Sequence, residues 1–394
     1  MFIEDITIKV KRPVLSNALK TTWHALGLST GKKSETSVAR ITVKDGGVFL
    51  SAFTDDLSVC AYTQLEGVSV DRDSSGYIEF RAKPIQAILD YRFANDTVTL
   101  IIKDSLVSLV VQGKKVARLP VFDRQFDIEA IVEPVGTPIG MFGSEQIKSL
   151  TLVDEFSAKD QGGVLAHLSG VHLYSDKDYL RFIASDGMSM GYSWEKRKSE
   201  YGNYHVLLST NFLSTLDKIC RFATFSGSVE LMVNSATSRV FAVTNDVTVY
   251  TIQIANQIRD KFPVQAFFKV FSSVSGTAGC LCKPDELADA FSTVAASGSP
   301  RVKTTYNAGD GSVSLEADKT DNVIWVSVPA SPADPIDGSF EVVLSPGKVD
   351  AIIRVFSRIT ESIGIWHEKS DEVDAVMFSA VGGNFICLLA RMAQ

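Results

Sequence analysis

The sequence predicts an α+β fold of three repeated modules, each with two helices packed on antiparallel sheets. Three observations predict it. Most of the 394 residues alternate apolar and polar side chains between Gly, Asp and Asn punctuation, the pattern of half-buried strands and tight turns. Helical patches are few and evenly placed. Three separate landmarks recur at nearly constant spacing.

The first landmark is a strand, a small polar turn containing Asp, and a second strand. It occurs as VFLSAFTDDLSVCAY from Val48, LRFIASDGMSMGYSW from Leu180 and VSLEADKTDNVIWVSV from Val313, at intervals of 132 and 133 residues. The second is a strand running into a short amphipathic helix: FRAKPIQAILDYRF from Phe80, LLSTNFLSTLDKICRF from Leu207 and VLSPGKVDAIIRVFSRI from Val343. Pro84 and Pro346 fall near the first helical turn, where a missing N–H does no harm, and Ser209 and Ser345 are predicted N-caps. The third is an earlier helix in each block: VLSNALKTTWHALG from Val14, GSEQIKSLTLVDEF from Gly143 and KPDELADAFSTVAA from Lys283, with starts 129 and 140 residues apart. These repeats place the modules at 1–136, 137–273 and 274–394.

Serine beside aspartate at Ser185-Asp186 invites a catalytic reading. Thr54-Asp55 occupies the same place in the first repeat, so the pair belongs to a repeated turn. No GxSxG, phosphate-binding or dinucleotide-binding glycine loop occurs in context. His167 and His172, five apart on a predicted strand, point to opposite faces and cannot share a metal. His24, His205 and His367 stand alone. No catalytic residue, metal or cofactor is expected; a hydrolase centred on Ser185 and Asp186 is a minor alternative.

The five cysteines (Cys60, Cys220, Cys280, Cys282 and Cys387) are scattered and odd in number, and are expected to be reduced. No apolar run reaches bilayer length, and the alternating start MFIEDITIKVKRP is a strand pattern rather than a leader, so a cytoplasmic protein is expected. The net charge of −7 argues against a generally basic, nucleic-acid-binding surface. It leaves room for positive charge gathered on one face.

The repeat resembles the bacterial DNA polymerase III β subunit, the sliding clamp. LRFIASDGMSMGYS is similar to the central signature of that family, and GGVLAHLSGVHLY to the strand leading into it. RLPVFDRQFDIEAI and IRDKFPVQAFFKVF resemble the two segments that close its first and second domains. NFICLLARMAQ resembles its C-terminal strand. The resemblance runs end to end and implies half of a ring: a head-to-tail homodimer that encircles duplex DNA without reading its sequence. It implies no catalysis, and partners that include a replicative polymerase, a clamp loader and other proteins with short docking peptides.

On that resemblance, Lys20, Arg92, Lys148, Lys218, Arg221, Lys348, Arg354 and Arg358 on the repeated helices are expected to face DNA. Lys32, Lys33, Lys196, Arg197 and Lys198 in loops join them. Asp285, Glu286 and Asp289 make one early helix an exception. Lys114 and Lys115 in the first module, and Glu316 and Asp318 in the third, are expected at the contact between chains. The peptide pocket is expected to comprise His167, Leu168, Ser185, Gly187, Met188, Ser189, Met190, Pro263, Phe267, Phe268, Ile386, Leu388, Leu389, Ala390 and Arg391. Met188, Ser189 and Phe267 stand where the family usually carries basic residues, so a more apolar pocket is expected. A repeat-built protein scaffold that never encloses DNA is the alternative.

Overall fold

A computed structural model describes residues 5–27, 38–54, 56–71, 75–90, 97–122, 129, 131–158, 163–176, 178–196, 202–222, 225, 227–252, 259–273, 278–319, 322–333, 338–369 and 374–390. One order of elements runs through the chain three times: strand, helix, a group of strands, helix, three strands.

The first pass is β1 (Ile6–Lys11), α1 (Arg12–Leu19), β2 (Val38–Lys44), β3 (Gly47–Phe53), β4 (Val59–Gln64), β5 (Ser69–Val70), β6 (Gly76–Arg81), α2 (Ala82–Asp90), β7 (Thr97–Lys103), β8 (Leu106–Val111) and β9 (Lys114–Pro120). The second is β10 (Thr137–Phe142), α3 (Ser144–Asp154), β11 (Val171–Ser175), β12 (Tyr179–Ser185), β13 (Ser189–Lys196), β14 (Tyr204–Leu208), α4 (Thr210–Cys220), β15 (Val229–Asn234), β16 (Arg239–Val243) and β17 (Thr248–Ile252). Helix α5 (Val264–Ser273) follows. The third is β18 (Ala278–Cys282), α6 (Pro284–Ala295), β19 (Val302–Asn307), β20 (Ser312–Lys319), β21 (Asn322–Pro329), β22 (Ser331–Pro332), β23 (Phe340–Leu344), α7 (Pro346–Phe356), β24 (Ile363–Lys369), β25 (Asp374–Ala380) and β26 (Phe385–Ala390).

Local chemistry accounts for the element ends. Asp45-Gly46, Asp104-Ser105 and Gln112-Gly113 take positive φ at both positions, as two-residue hairpin turns require. Ser209 caps α4 by accepting the Phe212 N–H at 3.4 Å, as its sequence predicts. Ser345 holds the N-cap position of α7 without a side-chain bond, and Pro346 opens that helix. Helix α1 continues as a π-helical turn, Lys20–His24.

The chain divides into two compact units. The first contains a five-stranded sheet, ordered β5-β1-β7-β8-β9, and an eight-stranded sheet, ordered β10-β15-β16-β17-β4-β3-β2-β6. Trp23, Phe80, Phe212 and Phe241 are fully buried in it. The second contains a nine-stranded sheet, ordered β14-β11-β12-β13-β26-β25-β24-β18-β22, and a four-stranded sheet, ordered β21-β20-β19-β23. Its buried side chains include Phe182, Phe291, Phe356 and Phe378. Every strand pairing is antiparallel.

Each of the four sheets ends on two edge strands, and two of these edges are long and carry exposed apolar side chains. β9 pairs only with β8, and β21 only with β20, among the described residues. Both edges carry apolar side chains into water: Val116 on β9, and Val323 and Trp325 on β21, the last 65% exposed. All five cysteines are free thiols, four of them buried.

Candidate functional site

The site is built on the β12–β13 hairpin in the second unit. Its turn, Ser185 to Ser189, is held by its own side chains. Asp186 Oδ1 accepts from Met188 N at 2.9 Å, Ser189 N at 2.7 Å and Ser189 Oγ at 3.0 Å. Ser185 Oγ donates to Ser189 O at 2.9 Å and accepts from Gly187 N at 3.0 Å. Gly187 sits at φ +89°, a region that a side chain at Cβ disfavours. Ser185 Oγ is therefore engaged in the geometry of its own turn on both its donor and its acceptor side.

Asp186 Oδ2 takes the Lys348 ammonium, from the first turn of α7. Burial opposes ionisation of Asp186, but the bonds from Lys348, Ser189 and Met188 outweigh it and hold its pKa below the ordinary value. The turn's tip is apolar and in water: Met188 is 49% exposed, while its carbonyl accepts from Ala390 N at 3.0 Å.

β13 pairs with β26 so that Ser189 meets Leu389, Met190 meets Leu388 and Tyr192 meets Ile386. Beside this seam lies a cluster of Ala158, Leu168, Ile183, Phe262 and Val264. The partly buried side chains of Tyr174, Met190, Tyr192, Phe267 and Phe268 pack on it. Phe262 stacks on Phe267 at 4.5 Å between centroids. Phe268 meets Tyr174 edge-on at 5.4 Å, and the Arg181 guanidinium lies 4.4 Å from its ring centroid. Of the expected pocket residues, Leu168, Met190, Phe267 and Phe268 thus share one apolar cluster. Pro263 lies exposed at the approach to α5. Ser185, Gly187, Met188 and Ser189 form the adjoining turn, and Ile386, Leu388, Leu389 and Ala390 the adjoining strand. Arg391 lies outside the described residues.

The histidines correct the sequence reading. His167 belongs to a 3-10 turn, Gly163–Leu168, not to the strand that carries His172. His205 does not stand alone: its Nε2 lies 2.8 Å from His172 Nδ1, across the β11–β14 pair. His172 Nε2 lies 2.7 Å from His167 O. A carbonyl can only accept, so His172 Nε2 carries the proton and His205 Nε2 donates to Nδ1. Burial pushes the pKa of His172 down to about 3 and that of His205 down to about 4. His172 also stacks on Phe262 at 3.7 Å. The pairing is between strands and carries no sequence signal. Among the described residues no cluster of His, Cys, Asp or Glu could hold a metal.

The expected DNA-facing residues are placed in different ways, and Lys348 is held in the Asp186 pair described above. Lys20, Lys148 and Lys196 are exposed. Arg221, Arg354 and Arg358 are exposed but bonded to carboxylates: Arg221 to Asp217 at 2.6 Å, Arg354 to Asp350 at 2.9 Å and Arg358 to Glu155 at 3.5 Å. Lys218 is half-buried, which lowers its pKa. Its ammonium occupies the space beside Gly27, where a Cβ would meet Nζ at 2.9 Å. Lys32, Lys33, Arg92, Arg197 and Lys198 lie outside the described residues.

Lys114 and Lys115 are exposed on the open edge strand β9. Glu316 and Asp318 lie on β20, one strand in from the open edge β21, opposite Trp325 and Val323 respectively. Trp325, which sequence reasoning missed, is the most exposed large apolar residue on that edge.

The arrangement is that of the bacterial DNA polymerase sliding clamp fold. The chain superposes along its whole length on the DNA polymerase III β subunit of Thermotoga maritima (TM-score 0.78, 16% identity, 99% of this chain and 100% of that one). It does so on the β subunit from the DNA polymerase of Streptococcus pyogenes (0.77, 15%, 98% and 100%). The Pseudomonas aeruginosa sliding clamp bound to griselimycin is similar too (0.77, 14%, 99% and 100%). No family model matches the sequence, and no curated protein matches it.

Proposed function

We propose that this chain is a DNA sliding clamp: a non-catalytic processivity subunit. Two copies, each of three modules (1–136, 137–273, 274–394), close head to tail around duplex DNA in the cytoplasm and tether a replicative polymerase. The observation that carries this reading is the full-length likeness of fold to sliding clamps. The open edges support closure. β9 of one copy and β21 of the other would continue one sheet into the next, covering Val116, Val323 and Trp325. Such a heterologous contact closes a ring when the rotation fits. Lys114 and Lys115 on β9 would lie one strand away from Glu316 and Asp318 on β20, close enough to add long-range charge complementarity but not to set the register.

The β12–β13 turn, β26 and the cluster with Phe267 and Phe268 form the docking site for partner peptides in this reading. A surface of Met and aromatic side chains suits several related peptides, because Met repacks easily. Duplex DNA would be held loosely by basic residues that position phosphates without reading bases.

Light scattering over a range of concentrations tests closure. A mass near twice 42.9 kDa is expected. Retention on nicked circular DNA at high salt, lost when the circle is cut, then tests encirclement. Griselimycin binding that Met190→Asp abolishes tests the docking site. One observation favours a scaffold that does not enclose DNA: Arg221, Arg354 and Arg358 already lie against carboxylates of this chain. A monomer at every concentration, or no retention on circles, would select that reading.

Among the described residues no helix is long and apolar enough to cross a membrane.

A further inference from the structure

Two apolar seats lie on corresponding strands of the two units, and the chain covers them differently. In the first unit Cys60 pairs with Phe53 on β3 and with Tyr250 on β17. In the second unit Met190 pairs with Ser185 on β12 and with Leu388 on β26. Tyr62 and Tyr192 each hold the next position on the same face, two residues along β4 and β13. The β3–β4–β17 seat therefore matches the β12–β13–β26 seat.

Glu129 and residues 131–135 cross the first seat as a strap. Ile131 and Val132 pack on the cluster of Phe53, Cys60, Tyr62, Phe241 and Tyr250. Tyr62 Oη donates to Val132 O and Tyr250 Oη to Glu129 O, both at 2.6 Å. Beyond the seat, Asn234 Nδ2 donates to Val135 O at 2.7 Å and Lys44 pairs with Glu129 at 3.3 Å. Apolar side chains turned inward and main-chain groups bonded to the surface are the way a short peptide is held. The segment that closes the second module winds into α5 instead and reaches its sheet with Phe267 and Phe268. Leu388 stands where Tyr250 stands and has no hydroxyl to hold a carbonyl. Cys60, Tyr62 and Tyr250 are buried, whereas Met190 and Tyr192 are only partly so.

We propose that the first unit carries a second, latent seat for apolar peptides, which the strap occupies in cis. This rests on the docking reading of the matching seat, from which the ligand class is taken. A tethered segment acts at an effective concentration in the millimolar range, so a free peptide of equal intrinsic affinity at about 10 μM is outcompeted about a hundredfold. The chain thus presents one open seat, and the tyrosine at position 250 decides which seat is closed.

The test is titration calorimetry of the full chain with a synthetic peptide of residues 129–135, EAIVEPV. Ile131→Ser with Val132→Ser removes the strap's apolar grip and is expected to take one more peptide per chain than the unaltered protein. Adding Tyr250→Asp should remove that extra peptide, and adding Met190→Asp should not. Lys44→Ala with Asn234→Ala leaves the seat itself intact and only loosens the strap. It should admit the extra peptide about fivefold more tightly than the unaltered protein does, and it decides the matter if the serine pair does not fold. No extra peptide in the variants, or an extra peptide that survives Tyr250→Asp, overturns the inference. A site lost with Met190→Asp belongs to the docking reading and is scored separately, so either seat can fail while the other stands.

Discussion

The β3–β4 and β12–β13 turns are two uses of one device. Each spends one oxygen of an aspartate on its own backbone and offers the other to the first turn of a helix. In the first unit the residue forced to positive φ is Leu57, at +59°, and its side chain packs against the cluster of Phe53, Cys60, Tyr62, Phe241 and Tyr250. In the second unit Gly187 takes the positive φ, and the next residue, Met188, stands out in water. Leu57 endures an unfavourable backbone because burial of its side chain offsets it. Gly187 has no such strain, and the turn keeps its shape while leaving its tip uncovered. The two turns therefore differ both in where the tip points and in what meets the aspartate, a neutral amide in the first unit and an ammonium in the second.

Removing the organising carboxylate should have the largest effect. Asp186→Ala strands two backbone N–H groups, of Met188 and Ser189, and is expected to cost its unit about 2–3 kcal/mol in urea unfolding, whereas Asp56→Ala strands only that of Ser58 and is expected to cost about 1 kcal/mol. Only Asp186→Ala should also weaken docking at the β12–β13 turn; equal loss in both variants would break the comparison.

Acid should separate the units next. The His172–His205 pair lies in the second unit, and both rings titrate below the ordinary imidazole value of 6.5, at about 3 and about 4. Below pH 6.5 the unfolded chain binds protons that the folded pair refuses, so stability is complete above that pH and falls as pH drops toward 4. The single hydrogen bond between the rings resists a second proton, so the loss is counted once, at about 2 kcal/mol after allowing for the partial exposure of His205. Trp194 and Trp366 report on the second unit and Trp23 on the first. Their fluorescence in urea titrations at pH 7 and pH 4.5 should shift for the second unit first. His205→Gln should remove most of that difference.

Gly187→Ala should cost about 1 kcal/mol. Nothing lies within 4 Å of the added Cβ, so only the positive φ opposes it. Docking should weaken by less than the stability loss, since the tip stays exposed. Smallest of all, Asn211→Ala should change stability by less than about 0.5 kcal/mol because its bond to Asp56 is exposed, and Lys348→Gln by about 1 kcal/mol or less, since Asp186 is only 18% exposed and Gln can still donate to it. A large loss in Lys348→Gln alone would make that lysine a structural strut.

The hairpins and helices were legible because their signals are local. Asp and Gly at turns, Pro346 at a first helical turn, Ser209 at a cap and alternation along β12 and β13 need no distant partner. Much of the candidate site was legible for the same reason: Met190 and Leu388, or Phe267 and Phe268, are apolar residues on elements whose order repeats. The His172–His205 bond, the Lys348–Asp186 pair and the carboxylates on Arg221, Arg354 and Arg358 fall into two kinds. Asp217–Arg221 and Asp350–Arg354, four apart on a helix, were readable as pairs and passed over in favour of phosphate. The others join residues 33 to 203 positions apart, which no local pattern specifies.

By itself the sequence determined the repeat, the element order, the turns and the reduced state of the thiols, since each depends on neighbours along the chain. Tertiary structure decided which edges stay open, so that β21 with Trp325, and not β20 with Glu316, is the free strand. It also decided which lysine joins which turn. Sheet order and ion pairing depend on how distant segments come together, and that is settled by burying the apolar faces of whole elements at once rather than by any one residue's preference.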